Sequence, residues 1–108
     1  MKEVKAFIHR NRIADVVHAL KTAGFRNISV IDVKGMLKAL DSQERQYSIE
    51  IGEKVITEVK LELVCEADQV DQAIALIRKN GRTGQPDAGW IYVSGIDASY
   101  RIDDGNAS

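Results

Sequence analysis

The sequence predicts an α+β sandwich in which two helices cover one face of a four-stranded antiparallel sheet. Three observations lead there. A ten-residue stretch, Thr57-Glu58-Val59-Lys60-Leu61-Glu62-Leu63-Val64-Cys65-Glu66, alternates with the two-residue period of a half-buried strand. Two segments, around residues 13–23 and 70–77, place apolar residues at helical spacing. Finally, the strand and helix signals follow one another in the order β-α-β-β-α-β, the split βαβ or ferredoxin-like arrangement.

The elements follow in chain order. Val4 to His9 is short and apolar and reads as a strand. Ile13, Val16, Val17, Leu20 and Ala23 then form one helical stripe, with Asn11 as expected N-cap and Gly24 as expected C′ residue. Ile28 to Leu37 returns to strand character; Val30, Ile31 and Val33 put apolar groups on both faces, so both faces are expected to be covered. Residues 38–54 are polar, charged and without a period, apart from a short helical signal near Ser42 to Tyr47. So long an irregular stretch in so small a domain points to a functional loop. Val55 to Glu66 is the strand named above. Val70, Ala73, Ile74 and Ile77 line the second helix, with Asp68 as its expected cap, Asp71 three residues on, and Gly81 at its end. Arg82 to Gly89 is a loop, Trp90 to Val93 the last main strand, and Tyr100 to Ile102 an expected short addition. Residues 103–108 read as a flexible tail.

The chain has 108 residues, enough for a single domain spanning 1–108. A domain this small buries only about two-thirds of its unfolded surface, so association would help its stability. Lys60, Glu62 and Val64 on the second face of the third strand suit a partly polar subunit interface. A net charge of −1 gives no general attraction to nucleic acid. The third strand also lacks the aromatics that RNA readers display on this scaffold. No apolar run reaches the ~20 residues of a membrane span, and the first residues carry no apolar signal-peptide core, so the expected location is cytoplasmic.

Candidate chemistry is sparse. His9 and His18 have no partner at metal-ligand spacing and read as surface or rim histidines. Cys65, the only cysteine, falls on the apolar side of a strand and reads as core. There is no nucleophile elbow, P-loop or nucleophile–base pair, so no enzyme is expected. Two glycine-bearing segments remain: Val33-Lys34-Gly35-Met36, and Thr83-Gly84-Gln85-Pro86-Asp87-Ala88-Gly89. Their backbone N–H groups could form anion-binding nests, though tight turns are the usual reason for glycine.

These segments, taken jointly, resemble the PII nitrogen-regulatory family and its PII-like relatives over nearly the whole chain. Ala19-Leu20 with Gly24 is similar to the end of the family's first helix. Ser29-Val30 with Val33-Lys34-Gly35 resembles its Thr-Val…Val-Lys-Gly signature. Val59 to Val64 resembles the strand after its long T-loop, and Arg78, Thr83-Gly84, Gly89 and Ile91-Tyr92-Val93 its B-loop region. The resemblance implies a homotrimer whose intersubunit clefts bind an adenine nucleotide, with a T-loop at about 37–55 that contacts target proteins and a B-loop at about 82–89. It implies a nucleotide site of Ser29, Gly35, Lys38, Glu62, Val64, Gly89 and Arg101.

Departures from the family pattern refine this. Trp90 stands for a Lys and Asp103 for an Arg that face the phosphates, while Asp87, Ala88 and Leu37 replace B-loop and T-loop residues. Fewer cations favour AMP or ADP over ATP. Ala39 and Glu58 replace residues that hold Mg²⁺ and 2-oxoglutarate; Ile51 and Ile49 replace the Tyr and Ser that other members modify. The resemblance therefore points to a divergent PII-like member without 2-oxoglutarate sensing. It acts on a partner such as a membrane transporter or an inorganic-carbon or carboxysome system, with bicarbonate as a further candidate ligand. The alternative is a structural or metal-binding trimer without nucleotide.

Overall fold

The structure, a computed structural model, describes residues 1–32, 58–84 and 89–103. The expected T-loop, with Gly35 and Lys38, lies outside the described residues, as do positions 85–88 and the tail from 104 onward.

Strand β1 spans Lys2–His9, β2 Ile28–Ile31, β3 Glu58–Cys65 and β4 Gly89–Gly95; helix α1 spans Ile13–Thr22 and α2 Val70–Gly81. The sheet order is β2-β3-β1-β4, with every neighbouring pair antiparallel. β1 and β2 thus run parallel with β3 inserted between them, which is the predicted split βαβ topology.

Alternation decides which side faces inward. In β1, Val4, Ala6 and Ile8 are buried; in β3, Val59, Leu61, Leu63 and Cys65. Val16 and Leu20 of α1 and Ala73 and Ile77 of α2 close over them, joined by Phe25. Burying a Leu or Val side chain contributes about 1.5–3 kcal/mol, so Leu20, Leu61 and Leu63, all fully buried, anchor the two layers.

Both helices begin differently from the sequence expectation. A 3₁₀ turn at Arg10–Arg12 precedes α1, and the Asn11 N–H donates to His9 Nδ1 at 3.2 Å. The cap is therefore His9, not the Asn11 side chain. A second 3₁₀ turn at Ala67–Gln69 precedes α2. Its reciprocal capping box joins Glu66 and Gln69, with the Glu66 N–H donating to Gln69 Oε1 at 3.1 Å, instead of Asp68 with Asp71.

The end of α1 follows expectation. Gly24 adopts φ +97°, its N–H donates to the Lys21 carbonyl at 3.0 Å, and the Phe25 N–H donates to the Leu20 carbonyl at 3.0 Å. This is a Schellman motif, with Leu20 and Phe25 both buried as its apolar contact. Gly81 is the last helical residue of α2. Here Arg12 Nε donates to the Asn80 carbonyl at 3.0 Å, placing a cation at a helix C-terminus.

Two further expectations change. Tyr100 to Ile102 forms no strand and pairs with no strand among the described residues. Val30 and Ile31, expected to be covered, are 47% and 37% exposed on an edge strand.

Candidate functional site

The helix-free face of the sheet gathers most of the described candidates. The register makes Ser29 of β2 the cross-strand partner of Glu62 on β3, and Glu62 in turn the partner of Lys5 on β1. Lys5 faces Tyr92 on β4. A neighbouring row runs Ile31, Lys60, Phe7, Trp90, and on the other side Val64 faces Glu3, which faces Ser94. Ser29, Glu62 and Val64 are thus brought together on one outward surface, because alternation that buries Leu61 and Leu63 must turn Glu62 and Val64 outward.

The charges there are matched in pairs. Lys60 Nζ lies 3.0 Å from Glu62 Oε1, and Lys5 Nζ lies 3.7 Å from Glu3 Oε1. Glu62 is therefore already neutralised on its own strand.

Gly89 lies elsewhere, at the first residue of β4, opposite Ile8. Its φ is +137°, and a Cβ there would sit 2.1 Å from the Phe7 carbonyl oxygen. Only glycine lets β4 approach β1 at this point. The ends of β1 and β2 and the starts of β3 and β4 share this edge of the sheet. Segments 33–57 and 85–88 both leave from it. At the same edge, Arg10 binds Asp32 through two guanidinium nitrogens, the second at 3.0 Å, immediately before residue 33.

Arg101 lies in the segment beyond the opposite end of β4, where the Ile96 N–H donates to the Met1 carbonyl. Its Nη2 is 2.6 Å from Asp103 Oδ2. The described candidates thus fall into three places: the sheet face, the Gly89 edge, and the segment holding Arg101.

One feature was not anticipated. Trp90 is 69% and Tyr92 55% exposed on the same outer face. Tyr92 meets Phe7 edge-to-face, ring centroids 6.2 Å apart. The signal was present in Trp90-Ile91-Tyr92-Val93, which is apolar on both sides. Beside Trp90 a cleft of about 140 Å³ runs between β1, β4 and the end of α2, with Arg78 and Arg82 in its lining.

Cys65 is buried, as expected, and burial, with help from Glu66 and Asp68, pushes its thiol pKa up, away from the reactive thiolate. Among the described residues no group of three or more His, Cys, Asp or Glu could hold a metal ion. Among them, too, no helix is long and apolar enough to cross a membrane.

The model of the family "Nitrogen regulatory protein P-II" matches residues 1–106. The chain is 32% identical over 111 residues to nitrogen regulatory protein P-II 2 of Methanothermobacter thermautotrophicus, covering 99% of this chain and 93% of that protein. It is 34% identical to the nitrogen regulatory protein P-II of Mesorhizobium japonicum, with 94% and 91% covered. With that of Rhodobacter capsulatus it shares 35% identity at the same coverage.

Proposed function

The chain belongs to the nitrogen regulatory protein P-II family, whose members are regulatory signalling proteins and not enzymes, and from that premise we propose that it is a homotrimeric sensor of adenine nucleotides. The nucleotide, AMP or ADP before ATP, occupies clefts between subunits. Ser29, Glu62 and Val64 receive the adenosine end, while Gly35, Lys38, Gly89 and Arg101 complete the phosphate end. Binding shifts the equilibrium of the loop at 37–55, which docks on a partner such as a membrane transporter or an inorganic-carbon system. Bicarbonate is a second candidate effector.

The observation that carries this reading is the shared outward surface of Ser29, Glu62 and Val64 in a chain matched to the family over residues 1–106. The separation of that surface from the Gly89 edge supports a site completed by a second subunit. The exposed Trp90 and Tyr92, the uncovered Val30 and Ile31, and the exposed Tyr100 and Ile102 supply apolar surface for such an assembly.

Calorimetric titration with AMP, ADP and ATP tests the reading. A hydrogen bond to a charged group contributes roughly 1.5–3 kcal/mol, so Arg101→Ala is expected to weaken nucleotide binding about tenfold or more. Adding 2-oxoglutarate with Mg-ATP is expected to give no heat, because Glu58 and Ala39 stand where the family holds that ligand. Tightest binding of ATP, or an Arg101→Ala variant that binds like wild type, would place the site elsewhere.

The second reading, a structural trimer without nucleotide, draws on Trp90 and Asp103 at positions of family cations and on the Arg101–Asp103 pair. Absence of all nucleotide binding in an intact trimer favours it.

A further inference from the structure

We propose that Asp103 is an internal counter-anion of the nucleotide site: it holds Arg101 in the free protein, is displaced by a ligand phosphate, and sets the limit on phosphate-chain length. This rests on the reading of Arg101 as a phosphate-binding residue and goes on to assign what regulates it.

The pair is local. Arg101 and Asp103 are two residues apart in a segment without regular structure, and Nη2 meets Oδ2 at 2.6 Å. Tyr100 and Ile102, highly exposed, alternate with them. The chain bends at residues 102–103, and the two charged groups meet across that bend. The contact therefore needs no second subunit, and Arg101 in the unliganded chain carries its anion with it.

The pair is also displaceable. The two side chains are 57% and 62% exposed, and an exposed ion pair shifts an equilibrium by only about 1.5- to 5-fold. A phosphate offers more acceptor oxygens to the guanidinium fork than one carboxylate oxygen does. Once displaced, Asp103 remains tethered two residues away and repels further negative charge. At about 6 Å in water, each added unit of phosphate charge is disfavoured roughly threefold. The penalty grows from AMP to ADP to ATP, so Asp103 acts as a specificity-determining residue.

The test is calorimetric titration of the full chain, wild type and Asp103→Asn, with all three nucleotides at low and at high salt. Asparagine keeps the shape and removes the charge; an unchanged thermal midpoint verifies folding. The expected result is tighter binding in Asp103→Asn, with the gain rising about threefold at each step from AMP to ADP to ATP at low salt and shrinking at high salt. If wild type binds ADP and Asp103→Asn leaves the ladder unchanged, or all three nucleotides gain equally, the counter-anion role is overturned while the nucleotide site stands. If neither protein binds any nucleotide, the nucleotide reading falls and this proposal with it. Binding by Asp103→Asn alone would support both.

Discussion

Gly89→Ala is expected to cost this protein about 3 kcal/mol or more, a large part of the 5–15 kcal/mol that holds a domain together. Two costs add. The residue sits at φ +137°, where an L side chain stores about 1–3 kcal/mol of strain. Its Cβ would also lie 2.1 Å from the Phe7 carbonyl oxygen and 3.3 Å from the Phe7 carbonyl carbon. Backbone cannot swing aside as a side chain can, so β4 must move off β1 and lose ladder hydrogen bonds. Gly24→Ala is the matched control. It also has a positive φ, +97°, but open space around the new Cβ, so only the backbone penalty of roughly 1–2 kcal/mol applies. Urea unfolding of both variants at one fixed protomer concentration separates the terms, since assembly makes stability concentration-dependent. Equal losses in the two variants would mean that β4 does not approach β1 at Gly89. Because that edge is also where segments 33–57 and 85–88 leave the sheet, Gly89→Ala should weaken nucleotide binding as well.

Tyr92→Asp is expected to convert the proposed trimer into monomers. In the single chain Tyr92 is 55% exposed and packed on Phe7. A carboxylate there is therefore tolerated by the isolated fold, and far-UV circular dichroism should be preserved. In an assembly that covers the outer face the same carboxylate is desolvated, at a cost of several kcal/mol per ion. Three copies would carry that penalty at once. Light scattering should give about three times the 12.0 kDa chain mass for wild type and about one chain mass for Tyr92→Asp. Lys21→Asp, on an exposed position of α1, reverses a charge on the helical layer and should leave the trimer intact. A wild type that is monomeric at micromolar concentration, or a Tyr92→Asp variant that remains three chains in mass, removes the sheet face as the interface.

Family and site depended on different kinds of information. Ser29-Val30, Val33-Lys34-Gly35 and Gly89 were readable as a spaced pattern, and the family match over residues 1–106 agrees with that reading. The roles of Ser29, Gly35, Lys38, Glu62, Val64, Gly89 and Arg101 in binding a nucleotide are proposals carried by the resemblance. Nothing in the pattern, however, announced that Asp103 meets Arg101. Nor did it announce that Trp90 and Tyr92 stand exposed beside Phe7. Those are consequences of which direction each side chain takes once the strands are placed.

Residues 58–65 alone determined a strand with Leu61 and Leu63 inside and Glu62 and Val64 outside, because side-chain alternation is a property of the extended backbone itself. Residues 13–23 alone determined a helix that stops at Gly24, since only glycine takes that positive φ cheaply. From these local periods the βαββαβ order followed. The tertiary structure decided the rest. Ser29 meets Glu62 because β2 pairs with β3, and Lys5 meets Tyr92 because β1 pairs with β4, each in one fixed register. His9, and Glu66 with Gln69, cap the 3₁₀ turns that lead into the helices, where Asn11 and Asp68 were expected to cap the helices themselves. Gly89 is required by a carbonyl eighty-two residues earlier in the chain, that of Phe7. Local periodicity cannot encode such facts: register, cap choice and close approach depend on groups far apart in sequence, which meet only when the sheet closes over its core.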